Sequence, residues 1–267
     1  MILRSTLRVV ALALLLATLL HCPATAALTE AQLASVGVNP PPGASLPLDA
    51  PLTDLDGRTT TLRRILGDRP GVIIFADYRC TQLCSPILGL AGQALSKSGL
   101  VPGRDYRLIV IGFNPRATRA DARAMIGGQI GFDTPVGGAT FPLMGDEASI
   151  RRLTQAVGYH FVYDEGNARY AHPAALLIVT PDGRLSRVLA GLSITGEDAR
   201  SALVAAKPGG VAAFVNQVRL LCYGLGASVG RYAGLVRILL AATGAATLGL
   251  IAAALFALSR KGARGRA

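Results

Sequence analysis

Apolar residues in the middle of the chain gather into short runs separated by polar turns. Val72-Ile73-Ile74-Phe75-Ala76 is continuous, the pattern of a strand covered on both faces. Tyr106 to Phe113 is a second such run, and Phe141 to Met144 a shorter one. Between and after them, Pro86 to Ser96, Thr118 to Ile130 and Ala148 to Val157 carry apolar residues at helical spacing. Ala174 to Thr180 predicts a strand, Pro181-Asp182-Gly183 a turn, Arg184 to Leu189 a return strand, and Glu197 to Ala206 a closing helix. Upstream, Leu52 to Leu62 alternates around Asp56-Gly57, which predicts a hairpin.

Strand-helix-strand units followed by a hairpin and a last helix predict an α/β domain of thioredoxin-like layout. Its central sheet has strands of mixed direction, with helices on both faces. The domain is expected over residues 46–206, long enough to bury a core of its own. Residues 27–45, with Pro40-Pro41-Pro42-Gly43, show neither period and are expected to be a tether. Residues 207–237 form a Gly-containing connector with a helical-looking stretch from Val211 to Leu221.

The two ends carry a different pattern. Arg4 and Arg8 precede the apolar run Val9 to Leu20, and Ala24-Thr25-Ala26 is a small-x-small cleavage site, so residues 1–26 read as a secretory signal. Cys22 follows bulky His21, which argues against lipoprotein processing. Residues 238–258 hold no charge and are long enough to span a bilayer core of about 30 Å as a helix. Arg260, Lys261, Arg264 and Arg266 follow, in the basic tail 259–267. Basic residues remain on the cytoplasmic side, so the domain is expected on the periplasmic face of the inner membrane, held by one C-terminal span.

This division changes the meaning of the charge. The formal net charge is +11. Arg4, Arg8, Arg231, Arg237 and the four tail residues account for eight of the 27 basic residues. The exported part keeps 19 against 16 acidic residues, an ordinary +3 that gives no reason to expect nucleic-acid binding. Of the four cysteines, Cys22 leaves with the signal, and Cys80, Cys84 and Cys222 remain in a compartment that tolerates disulfides.

Cys80 and Cys84 come directly after the first buried strand and are spaced i, i+4, which sets both thiols on one face of a helix. A helix N-terminus favours thiolate, which suits metal binding and disulfide chemistry alike. From the residues alone, a structural disulfide with His172 incidental stays open beside both.

The chain resembles the Sco/SenC family, the membrane-anchored copper chaperones of cytochrome c oxidase assembly. The resemblance rests on Cys80-x-x-x-Cys84 after a strand with Pro86 close behind, and on Gly112-Phe113-Asn114-Pro115-Arg116. It rests further on His172, 88 residues after Cys84, and on Thr180-Pro181-Asp182-Gly183 after the next strand. Leu221-Cys222-Tyr223 and Gly230-Arg231-Tyr232 before the last span resemble a bacterial branch anchored at its C-terminus. The resemblance implies copper held by Cys80, Cys84 and His172, and delivery to the dinuclear copper site of an oxidase subunit. Two thiolates and an imidazole suit Cu(I), and imidazole accepts Cu(II) as well. Asn114 stands where the family has Asp, and Ser85 separates Cys84 from Pro86. His172 is expected on a mobile loop whose ring swings to both sulfurs, and Pro173 is a candidate for the cis proline of such folds.

Two rivals use the same fold. In a thiol-disulfide oxidoreductase Cys80 attacks, Cys84 resolves and the substrate is the oxidised cysteines of that subunit. A peroxiredoxin-like protein needs an activating Arg and a Thr or Ser, which Thr81 meets weakly. His172 discriminates, because only the copper reading needs it. Elsewhere, His160 among aromatic residues reads as packing, and Asp77 as a solvated loop carboxylate. Asp164-Glu165 reads as a turn, and Arg116, Arg119 and Arg123 as a solvated helix face.

Overall fold

The computed structural model describes residues 28–80, 84–190, 194–208, 221–222, 242–244, 247–249 and 251. The expected signal, the stretch 211–220, the basic tail and most of the expected span 238–258 lie outside the described residues. Among the described residues no helix is long and apolar enough to cross a membrane.

Seven strands form the main sheet. The centre is β4 (Gly71–Ala76), parallel to β5 (Arg107–Gly112), which is parallel to β6 (Thr140–Met144). On one side β10 (Ala175–Val179) runs antiparallel to β4 and is followed by β11 (Leu185–Ala190). On the other, the hairpin of β2 (Leu52–Thr53) and β3 (Thr59–Thr60) completes the edge. The mixed directions arise from the connections. Helices join the parallel strands, while tight turns at Gly57 (φ 85°) and Gly183 (φ 86°) reverse the chain at the edges.

Every residue of β4 and β10 is buried, as their unbroken apolar runs require. Alternation divides the strands between two layers. Ile73, Phe75, Ile109, Ile111, Leu143 and Leu177 join one core with α2 (Leu62–Leu66) and α6 (Glu147–Ala156). On the opposite side α3 (Cys84–Ser96) packs against α4 (Arg119–Gln129) and α7 (Gly196–Ala205). Thr118 and Thr195 start α4 and α7 with capping boxes to Asp121 and Asp198. A one-turn helix, α5 (Pro135–Gly138), precedes β6.

The stretch expected to be a tether is partly built into the domain. It contains α1 (Glu30–Ser35) and β1 (Gly37–Val38), which pairs with β7 (Tyr159–His160). Val36, Val38 and Ala44 are buried. Spaced among prolines, these apolar residues show no helix or strand period, so only tertiary contacts reveal them. Three short strands also escape the sequence pattern: β7, β8 (Val162–Asp164) and β9 (Arg169–Pro173). A further two-residue strand, β12, is Leu221–Cys222. Residues Cys222–Ala267 group as a unit separate from Met1–Leu221.

Candidate functional site

The parallel pair β4–β5 runs in register to its end, with Ala76 opposite Gly112. The next residues of each strand therefore emerge side by side at the C-terminal edge of the sheet, where α/β folds place their crevices. From β4 come Asp77-Tyr78-Arg79-Cys80, and from β5 Phe113-Asn114-Pro115-Arg116.

Two linked turns fix this edge. Asp77 O accepts from Cys80 N at 2.9 Å, and Asp77 Oδ1 accepts from Arg79 N at 3.0 Å. Asn114 builds the same motif, with its carbonyl accepting from Ala117 N at 3.0 Å and its Oδ1 from Arg116 N at 2.9 Å. Asn114 Nδ2 donates to Asp77 Oδ1 at 2.7 Å and ties one turn to the other. Asp77 is thus not a solvated loop carboxylate; it is 3% exposed. The missed signal was Asn114, whose amide can donate to a buried carboxylate where an ionised Asp could not.

Tyr78 anchors the cysteine loop from below. It is 3% exposed, and its hydroxyl donates to Val110 O at 2.7 Å and Leu143 O at 3.2 Å. Burial raises its pKa far above the ordinary tyrosine value. Its ring lies where a Cβ on Gly112 would be, 2.5 Å from Cε2, so this strand end accepts only glycine without rearrangement.

Cys80 is half-buried and lines a cavity of about 380 Å³ together with Asp77, Arg79, Asn114, Arg116, Tyr163, Asn167, Ala168 and Arg169. Cys84 is the first residue of α3, and residues 81–83 between them lie outside the described residues. Arg116 precedes α4 and does not lie on its solvated face. Its Nη1 donates to Tyr163 Oη at 2.9 Å, and its guanidinium lies 5.2 Å from the centre of that ring.

His172 is on a strand, not a loop. It belongs to β9, is 2% exposed, and packs edge-on against Phe113 with centroids 5.2 Å apart. No cis peptide bond occurs among the described residues, so the His172–Pro173 bond is trans. The antiparallel register of β10 on β4 sets the start of β10, and hence His172 just before it, beside the end of β4. The ring and Pro173 share a cleft of about 10 Å³ with Ala76 and with Ile87 of the first turn of α3.

Nδ1 of His172 lies 3.1 Å from Tyr159 Oη and 3.2 Å from Pro173 O. Tyr159 Oη itself donates to Pro173 O at 2.9 Å. The Pro173 carbonyl can only accept, so its 3.2 Å approach assigns the imidazole hydrogen to Nδ1. Nδ1 is committed to these partners, and Nε2 is the nitrogen that carries the lone pair. Burial pushes the imidazole pKa down to about 4, against the opposing pull of the Pro173 carbonyl and the Asp77 charge. The ring is therefore neutral at pH 7, as a ligand must be.

Cys80 and His172 come to one edge of the sheet but not to one cavity. Cys80 lines the larger one and His172 the small cleft behind it. Among the described residues no three His, Cys, Asp or Glu side chains are gathered as a metal site. His160 is exposed on β7 in a third groove with Glu147 and Arg151, and is not packed away among the aromatic residues as its neighbours suggested. Asp164 does form a turn, accepting from Asn167 N at 3.2 Å and Nδ2 at 2.7 Å.

No family model matches this sequence, and no curated protein matches it. Solved structures do. A candidate electron transfer protein from Aquifex aeolicus VF5 is 20% identical over 63% of this chain and 95% of its own, with a TM-score of 0.56. BsSco, a member of the Sco family of cytochrome c oxidase assembly proteins with a disulfide switch, is 17% identical over 61% of this chain and 95% of its own, at 0.50. Copper-bound ScoI of Bradyrhizobium japonicum is 22% identical over 61% and 98%, at 0.48. At such identities the likeness establishes the fold, and the expected thioredoxin-like layout stands.

Proposed function

We propose that this protein is a copper-binding assembly factor that carries copper on Cys80, Cys84 and His172 to the dinuclear copper site of a cytochrome oxidase subunit. One observation carries the reading. A neutral imidazole, anchored through Nδ1 by Tyr159 and the Pro173 carbonyl, sits behind the strand that delivers the Cys80-x-x-x-Cys84 pair. Such anchoring at one nitrogen is the usual support of a metal-ligating histidine. The donor set, two thiols and one imidazole, fits copper as cargo. The sequence resemblance to the Sco/SenC family supports both the ligand set and the oxidase partner.

The fixed ring changes the mechanism expected from the sequence. With His172 held in β9, the imidazole does not swing to the sulfurs. Thiolate, not disulfide, ligates. The reduced protein is therefore expected to take up one copper per chain, measured by metal analysis after desalting, and the oxidised protein none. Equal uptake by both would refute the ligand set.

In this reading the chain is anchored in the inner membrane by residues 238–258, with the domain periplasmic. The support is the uncharged stretch and the basic tail. A reporter active only in the periplasm, fused after Ala267, is expected to be silent, and activity there would overturn the orientation.

A thiol-disulfide oxidoreductase is the second reading. Arg79, Arg116 and Arg169 around Cys80 favour it, because cationic neighbours stabilise the attacking thiolate. Here reduced protein would reduce a client's cysteines without binding copper.

A further inference from the structure

The cavity beside Cys80 is more cationic than its proposed ligand role requires. Its wall presents Arg79, Arg116 and Arg169. The acids around them are engaged, including Asp121, whose charge acts with Arg79 while it caps α4 through Thr118. Asp77 is buried and accepts from Asn114 and from the Arg79 backbone. Asp164, 1% exposed, stands opposite Arg169 in the β8–β9 ladder and accepts from Asn167. Arg79 and Arg116 are exposed and belong to no ion pair among the described residues.

Arg116 is also held in place. Its Nη1 bond to Tyr163 and its position over that ring fix the guanidinium plane. The Asn114 turn fixes its backbone through Arg116 N. A guanidinium ordered in this way loses little freedom when it meets a planar anion, and its fork of donors matches a carboxylate.

We propose that this cavity docks a carboxylate side chain of the cysteine-bearing segment of the partner protein, seating that segment against Cys80. That the partner segment bears cysteine rests on the function proposed above; the charge selectivity does not. The positive cavity would select acidic over neutral client segments and speed their encounter.

The test uses the purified full-length chain and a fluorescent peptide with Ser in place of its cysteines, so that binding is read without thiol chemistry. One version carries two Glu beside the Ser positions and the other two Gln. At a salt concentration of about 50 mM, fluorescence anisotropy is expected to give about tenfold tighter binding of the Glu peptide, and about 0.5 M salt should erase the difference. Arg116→Gln and Arg79→Gln should each reduce the preference, and Arg116→Lys, which keeps the charge, should retain part of it. Equal affinity for the two peptides overturns the proposal, as does a preference that persists in both Gln variants. Copper uptake by the same samples keeps the two ideas apart. A protein that prefers the Glu peptide but takes up no copper loses the copper reading and keeps this one.

Discussion

Replacing Gly112 by Ala is expected to cost about 3 kcal/mol of stability and to weaken copper binding as well. The new Cβ would meet the Tyr78 ring at 2.5 and 2.6 Å, so the buried ring must shift to admit it. Overpacking of this kind costs roughly 1–3 kcal/mol. Displacing the ring also strains or breaks the hydroxyl donation shared between Val110 O and Leu143 O, worth about 1 kcal/mol. Tyr78 lies two residues before Cys80, so the damage reaches the thiol. Urea unfolding of the single variants and of the Gly112→Ala, Tyr78→Ala double variant checks this. The double variant should lose clearly less than the sum of the singles, because the methyl then occupies the space the ring vacates. A single-variant loss below about 0.5 kcal/mol would mean that the loop is not held by this contact.

The second large effect is acid sensitivity from His172. Its folded pKa of about 4 lies below the ordinary 6.5 because burial disfavours the charged ring. Between these values the unfolded chain binds a proton that the folded chain refuses. Stability is therefore complete above pH 6.5 and falls as pH drops toward 4. Each pH unit costs about 1.4 kcal/mol, for a total of roughly 3 kcal/mol. Several carboxylates, including Asp121 and Asp198, are held low by their capping bonds and lose their contribution at still lower pH. The difference between wild type and His172→Asn isolates the histidine. In metal-free samples the variant should lose stability less steeply from pH 6.5 to 4. Parallel curves would mean that the ring accepts a proton in place.

The sequence made some of this visible and hid the rest for identifiable reasons. β4, β5 and β10 are long apolar runs, and α4 and α6 repeat apolar residues at helical spacing, so local pattern and tertiary burial agree there. Cys80 near the end of β4 was legible for the same reason, because a buried strand must carry the residues after it to the edge of the sheet. His172 was legible as a candidate but not in its setting. Arg169-Tyr170-Ala171-His172-Pro173 shows no clean alternation, and its strand exists through pairing with Val162, Tyr163 and Asp164. The anchor at Tyr159 lies 13 residues away, beyond any local pattern. Asp77 looked solvated because the partner that allows its burial, Asn114, is 37 residues distant. Arg116 looked like part of a helical face because Arg119 and Arg123 come after it at helical spacing, yet α4 starts only at Arg119.

The central claim is that His172, held by β9, completes a copper site with the two thiols. Copper affinity of the reduced full-length chain, wild type against His172→Ala, tests it most directly, with cooperative unfolding of both confirming that they are folded. Loss of a ligand from a three-donor site is expected to weaken affinity by about a hundredfold or more. The account predicts one tightly held copper per wild-type chain and weak or absent copper in the variant. Equal stoichiometry and affinity in the two proteins would contradict it.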